Sequence, residues 1–120
     1  MAKFLEFVEI DDYEGEKYHT FFEVNPETQP ALQKLKEIFD RADMFEDFVG
    51  LKEADPRINE DTIGLLEHYS SNSYAKEFVL GSLSTEVVEK LSELENIEDD
   101  ETLREELRDL FHRREGIDFV

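Results

Sequence analysis

Carboxylates dominate the reactive side chains of this sequence, and they are crowded into one segment. Between Glu86 and Asp109 there are eleven acids and only three basic residues. The acids are Glu86, Glu89, Glu93, Glu95, Glu98, Asp99, Asp100, Glu101, Glu105, Glu106 and Asp109. Clustered carboxylates can act as general acids and bases, hold hard cations or bind cationic proteins, so the residue type alone does not choose among these functions.

The spacing of these acids favours an array that binds a cationic surface. Side chains three or four residues apart on a helix share one face. Two sets have this spacing: Glu86, Glu89 and Glu93, and, if the last helix begins early enough, Glu98, Glu101 and Glu105. As one straight helix the segment would span roughly 36 Å, with one carboxylate per roughly 3.3 Å. One strand of B-DNA carries a phosphate per roughly 3.4 Å of axis. The density of negative charge therefore resembles that of a nucleic-acid backbone.

A second acidic cluster surrounds the connection between the first two predicted strands. Its members are Glu9, Asp11, Asp12, Glu14 and Glu16. Oxygen ligands beside a glycine favour calcium, but the alternating spacing of an EF-hand loop is absent. We interpret the cluster as a second part of a partner-binding surface, with a calcium site as the alternative, and we predict no metal site.

The other reactive residue types form no recognisable catalytic motif. The sequence has no cysteine, which excludes a disulfide framework and a thiolate metal site. His19, His68 and His112 fall in different predicted elements and lack the spacing of metal ligands. The motifs of zinc proteases, phosphate-binding loops and nucleophile elbows are absent. We therefore predict that the protein is not an enzyme and needs no cofactor.

The overall charge points to the same kind of partner. A formal net charge of −19 on 120 residues far exceeds the magnitude of about 2–8 that suits a small soluble domain. Such a charge disfavours direct contact with nucleic acid or anionic lipid, because both are polyanions, and it favours a basic protein. No apolar run is long enough for a membrane span, and acids interrupt the apolar N-terminal stretch. We predict a cytoplasmic location.

Hydrophobic periodicity predicts the elements that carry these acids. We expect one acidic α+β domain over residues 1–120, with a small antiparallel sheet (the N-terminal hairpin plus one or two further strands) packed against about four helices. The predicted strands lie in 3–11, 17–24 and 74–80, and residues 44–54 are interpreted as a further strand, with an irregular helical turn as the alternative. The predicted helices begin near Thr28, Asn59, Ser84 and Asp99, and Gly116 is expected to cap the last one.

With these features the chain resembles the bacterial DNA-mimic proteins. The resemblance rests on size, on the α+β pattern and on clusters such as Glu98-Asp99-Asp100-Glu101 and Asp11-Asp12. Within that group the chain is most similar to the Neisseria type that binds the histone-like protein HU. The resemblance implies a monomer that presents carboxylates in place of phosphates, occupies the DNA-binding surface of an HU-like protein and competes with DNA.

From local density alone we select the acids expected to bind the partner. They are Asp11, Asp12, Glu14, Glu16, Glu86, Glu89, Glu93, Glu98, Asp99, Asp100, Glu101 and Glu105.

Three other interpretations of the same acids remain open. Acidic immunity or antitoxin proteins neutralise one basic nuclease and centre their interface on aromatic anchors, for which Tyr13, Tyr69 and Tyr74 are candidates. An inhibitor of a restriction or phage-defence enzyme is a variant of the DNA-mimic interpretation. The plainest alternative is that the acids form an ordinary solvated or salt-adapted surface.

Overall fold

A computed structural model of the chain describes residues 3–10, 17–44, 48–69 and 77–119, with the side chains of residues 48, 49, 69 and 113 excepted. Within these ranges the chain forms five strands and four helices. The strands are β1 (Lys3–Ile10), β2 (Lys17–Val24), β3 (Phe48–Glu53), β4 (Phe78–Leu83) and β5 (Ile117–Phe119). The helices are α1 (Gln29–Ala42), α2 (Glu60–Tyr69), α3 (Thr85–Glu95) and α4 (Asp100–Phe111), with a 3-10 turn at His112–Arg114. The predicted α+β class is confirmed.

The strands form one mixed sheet in the order β3-β1-β2-β4-β5. The predicted N-terminal hairpin is present, with β1 antiparallel to β2 from Lys3 opposite Val24 to Ile10 opposite Lys17. Strand β3 pairs antiparallel with the other edge of β1. Strand β4 pairs with β2 in the parallel direction, which corrects the prediction of an antiparallel sheet. A parallel partner requires a long connection, and the chain between β2 and β4 supplies one through α1, β3 and α2.

The fifth strand was not predicted from the sequence. Strand β5 is only three residues long and pairs antiparallel with β4, Leu83 lying opposite Ile117. Gly116 precedes this strand. The prediction that Gly116 caps α4 is therefore wrong. The helix ends at Phe111, and a 3-10 turn follows in which Arg114 takes a positive φ of 62°. So short a strand has no periodicity of its own that would separate it from a helix end.

The two faces of the sheet bury two unequal cores. Alternation along β1 sends Leu5 and Phe7 to the larger core and Phe4 to the smaller one. The larger core is covered by α1, α3 and α4, whose buried residues follow helical spacing. The smaller core holds Phe21 and Ile63 and is covered by α2. The molecule is therefore a sheet between three helices on one face and one helix on the other.

A cluster of three aromatic rings ties the larger core together. Phe7 of β1, Phe39 of α1 and Phe111 of α4 have ring centroids 5.4–5.5 Å apart with tilted planes. Tilted pairs at this distance are favourable beyond the area that they bury. All three side chains are at most 4% exposed. The cluster thereby fixes α1 and α4 to the centre of the sheet.

The helix starts follow the sequence rules. The Ser84 side chain accepts a hydrogen bond from the Val87 backbone N–H at 3.3 Å, and Asn59 Oδ1 accepts one from the Thr62 N–H at 2.9 Å. Pro30 lies in the first turn of α1 after Thr28. Among the helices of the described ranges, none has the length and apolar character that a bilayer crossing requires.

We predict that Gly116 and Gly64 respond in opposite directions to replacement by alanine. A Cβ at Gly116 would lie 2.7 Å from Val87 Cγ2 and 2.8 Å from the Leu110 carbonyl oxygen, whereas a Cβ at Gly64 in α2 would meet no atom within 4 Å. Gly116→Ala should lower the free energy of unfolding by about 1–3 kcal/mol through overpacking. Gly64→Ala should raise it by about 0.5–1 kcal/mol through helix propensity. Urea unfolding measures both, and equal effects would contradict the packing at Gly116.

Candidate functional site

The C-terminal helical pair carries the densest group of acids that the structure describes. We call the predicted partner-binding acids of this pair the α3–α4 acidic surface. It comprises Glu86, Glu89, Glu93, Glu98, Asp99, Asp100, Glu101 and Glu105, all of which are exposed. These are the eight predicted partner-binding residues that fall within the described ranges.

Helical periodicity turns these acids outward. In α3 the buried residues are Val87, Leu91 and Leu94, and the set containing Glu89 and Glu93 lies on the opposite side of the helix. In α4 the buried stripe of Leu103, Leu107, Leu110 and Phe111 leaves the set containing Glu101 and Glu105 facing solvent in the same way. The apolar stripe that builds the core therefore also sets the direction of the carboxylates.

The acidic segment is bent and does not form a single straight row. Helix α3 ends at Glu95, residues 96–99 form the connection, and α4 begins at Asp100. The one-dimensional comparison with a DNA strand therefore does not describe the molecule. The acids instead form two helical rows joined by Glu98 and Asp99, which spreads the negative charge over a surface.

Two arginines beside this surface, Arg104 and Arg41, bond backbone carbonyls between α1 and the C-terminal helical pair. Arg104 donates from Nε to the carbonyl oxygen of Ala42 at 2.6 Å and so bonds the last turn of α1. Arg41 of α1 donates to the carbonyl oxygens of Glu95 and Ile97 at the end of α3. These arginines are used to satisfy backbone carbonyls, which is the usual need at a helix C-terminus. Their positive charge consequently lies along the inner edge of the acidic surface.

Three of the eight acids have intramolecular partners. Glu86 lies 3.6 Å from Lys90 one turn along α3, and Asp100 lies 3.8 Å from Arg41. Asp99 accepts hydrogen bonds from the Thr102 N–H and hydroxyl at 3.1 and 2.6 Å as the N-cap of α4. Both ion pairs are solvent-exposed, and such pairs contribute little to stability.

The other five acids are not paired with cations in the described part of the chain. No Lys, Arg or His nitrogen there lies within 4 Å of the carboxylates of Glu89, Glu93, Glu98, Glu101 and Glu105. These five carboxylates face water and are available to an external cation. The charge asymmetry between helices of the same layer is clear, because α1 carries three basic and two acidic residues while α3, its connection and α4 carry three and eleven.

Four predicted site residues of the first loop lie outside the described residues: Asp11, Asp12, Glu14 and Glu16. The same holds for two of the candidate aromatic anchors, Tyr13 and Tyr74, and for the side chain of the third, Tyr69. Glu9, which the sequence had grouped with that loop, is buried and only 7% exposed. Alternation along β1 points it to the same face as Phe7. It is therefore not part of an exposed acidic surface.

A buried polar group at the end of the larger core was missed by the sequence analysis. The Arg114 guanidinium lies 4.9 Å from the Tyr18 ring centroid and donates to the carbonyl oxygens of His19 and Glu77 at 3.5 and 3.3 Å. Burial lowers the pKa of Arg114, and the negative charge of Glu9 opposes that shift. This group joins the 3-10 turn to β2 and to the start of β4.

The histidines do not converge on a site in the described part of the molecule. His19 Nδ1 lies 2.6 Å from Glu6 Oε1, and its ring stacks on Phe78 at 4.7 Å. His68 and His112 are exposed on other elements. Within the described ranges, no three His, Cys, Asp or Glu side chains are placed to hold one metal ion.

No protein-family model matches the chain, and neither a curated protein nor a solved structure matches it.

We predict that the hydroxyl of Thr102 helps to keep Asp99 ionised in acid. The Thr102 side chain is the main cause that lowers the pKa of Asp99 below its ordinary value of 3.8, and the Thr102 backbone N–H adds to it. Because the folded pKa is the lower one, ionised Asp99 stabilises the fold at neutral pH, and this contribution is lost as the pH falls through the lowered pKa. Thr102→Val should raise the pKa of Asp99 toward 3.8 in a carboxyl ¹³C NMR titration.

The matched control is Thr62→Val, which removes the corresponding hydroxyl next to the Asn59 cap of α2. It should leave the pKa of Asp99 unchanged. An Asp99 pKa that does not move in Thr102→Val would show that the hydroxyl bond does not determine it.

Proposed function

We propose that this protein is a DNA mimic: it binds a basic DNA-binding protein through the α3–α4 acidic surface and competes with DNA for it. The observation that carries the proposal is a set of five exposed carboxylates that have no cationic partner among the described residues: Glu89, Glu93, Glu98, Glu101 and Glu105. A partner that brings lysines and arginines to this surface neutralises them without first breaking an internal ion pair. This lowers the cost of binding.

The electrostatic reason is the same as for a nucleic acid. A DNA-binding protein gains affinity when its lysines and arginines replace the counterions of a polyanion. Carboxylates held three or four residues apart on helices repel one another, so an external cation relieves the repulsion and attracts each of them. The net charge of −19 also speeds the encounter with a positively charged protein. The partner class that fits is a DNA-binding protein with a broad basic surface, such as an HU-like nucleoid protein.

We also propose how the protein would inhibit DNA binding by its partner. Direct binding of this chain to nucleic acid is disfavoured by charge, so its effect on DNA is exerted through the shared protein partner. One molecule of the chain is proposed to bind as a monomer, with its two helical rows occupying part of the surface that otherwise contacts phosphates.

The test is displacement of fluorescent duplex DNA from an HU dimer at about 50 mM salt, where charge contacts are weakly screened. The wild-type chain should displace the DNA. The triple variant Glu93→Gln, Glu101→Gln and Glu105→Gln should need about tenfold more protein for the same displacement, because three charge contacts are lost.

A control with the same net charge separates local contact from overall charge. Asp40→Asn, Glu53→Gln and Glu77→Gln remove three exposed acids outside α3 and α4. This variant should displace DNA within about twofold of wild type, because charges that the partner does not contact are screened over roughly 10 Å. Equal loss in both triple variants, or failure of the wild-type chain to displace DNA, would contradict the proposal.

A further inference from the structure

An apolar groove lies beside the α3–α4 acidic surface. Strands β2 and β4 are paired only as far as Phe22 opposite Gly81, and beyond that point they diverge: β2 continues against β1, and β4 turns to pair with β5. The gap between their ends, with α1 and α3 as walls, encloses about 360 Å³. This volume lies at the lower end of the range for ligand pockets.

The lining of the groove combines an apolar floor with an acidic rim. Phe22 and Leu32 belong to the buried core, and Leu80, Leu83 and Val88 complete the apolar lining. Val88 is 45% exposed and so offers apolar surface to a ligand. Three lining residues, Glu23, Glu27 and Glu60, are acidic, and the described lining includes no lysine, arginine or histidine.

The walls of the groove are held by local hydrogen bonds. On one side the Thr28 hydroxyl donates to the Glu23 carbonyl oxygen at 2.7 Å, and the Asn25 side chain accepts the N–H groups of residues 27 and 28 at 2.9 and 3.0 Å. On the other side the Ser84 N–H donates to the Gly116 carbonyl oxygen at 2.9 Å at the start of α3. A groove with fixed walls loses little entropy when it is occupied.

We infer that this groove accepts one aliphatic side chain of the basic partner, on a segment in which lysine or arginine flanks that side chain. The apolar floor matches the aliphatic group, and the carboxylates of Glu23, Glu27 and Glu60 match the flanking cations. Val88 lies on α3 between Glu86 and Glu89, so one partner can contact the groove and the acidic surface together. The inference deepens the proposed function and rests on it for the identity of the partner, but the groove is tested separately.

The direct test uses two blocked pentapeptides as probes. One has leucine between two pairs of cationic residues, and the other has glycine in place of the leucine, so their charges are identical. The leucine peptide should bind about tenfold more tightly, because it buries an aliphatic side chain. It should also shift the NMR methyl signals of Ala31, Leu83 and Val88. Equal affinities, or methyl shifts absent from the groove, would overturn the inference.

A groove-filling variant extends the test to an intact protein partner. Ala31 is a partly buried residue of α1 that lines the groove, and Ala31→Met adds apolar volume there without changing charge or helix propensity. It should weaken binding to the HU dimer about tenfold, while Leu65→Met, at an exposed residue of α2, should not. Val88→Ser, which removes part of the apolar wall, should weaken binding in the same direction and serves if Ala31→Met does not fold.

The two proposals fail in different ways. If Ala31→Met and Val88→Ser bind HU as the wild type does while the Glu93, Glu101 and Glu105 triple variant is weakened, the groove inference is wrong and the proposed function stands. If the leucine peptide occupies the groove but the wild-type chain does not displace DNA from HU, the proposed function is wrong and the groove remains a site for a cationic segment with an aliphatic anchor.

Discussion

Burial of the apolar stripes of α1, α3 and α4 against one sheet face is the interaction on which the rest of this structure depends. A chain with a net charge of −19 repels itself, and only apolar burial of sufficient extent keeps it compact. The ring cluster of Phe7, Phe39 and Phe111 lies at the centre of that burial. The same stripes set the rotation of α3 and α4, so the core that opposes the repulsion also aims the carboxylates outward.

The few cations of this layer stabilise the arrangement from within. Arg41 and Arg104 bond carbonyl oxygens where α3 and α1 end, and Lys34 lies 3.5 Å from Glu95. These contacts place positive charge between α1 and the helical pair formed by α3 and α4. Arg41 and Arg104 therefore place their charge between the helices, where they satisfy backbone groups. The backbone carbonyls between the helices thus have hydrogen-bond partners, while most of the exposed carboxylates of the α3–α4 acidic surface have no cation beside them in the described part of the chain.

Much of the fold could be predicted from the sequence because its local signals are strong. Alternation in β1 and β2, the caps at Ser84 and Asn59 and the apolar spacing of α4 each specify an element by short-range physics. The parallel pairing of β4 with β2 and the three-residue β5 were not predictable in that way, because both depend on contacts between distant segments. The burial of Glu9 beside Arg114 is likewise a tertiary effect that overrides the usual exposure of an acid.

In the candidate site, too, local sequence patterns predict some features, and contacts between distant segments determine the others. Helical spacing was enough to place Glu89, Glu93 and Glu105 on exposed faces. Spacing could not reveal that Asp100 approaches Arg41, because this contact depends on how α1 packs against the helical pair. The groove between β2 and β4 arises from strands that diverge, and no local sequence pattern marks it.

The central claim is that a basic DNA-binding protein makes contact with the α3–α4 acidic surface. The most direct measurement is an NMR titration of the ¹⁵N-labelled chain with an unlabelled HU dimer at low salt, read as amide shifts and line broadening along the chain. The account predicts that the largest changes fall between residues 85 and 109. Changes centred on α2 and β3, or a spectrum that HU leaves unaltered, would contradict it.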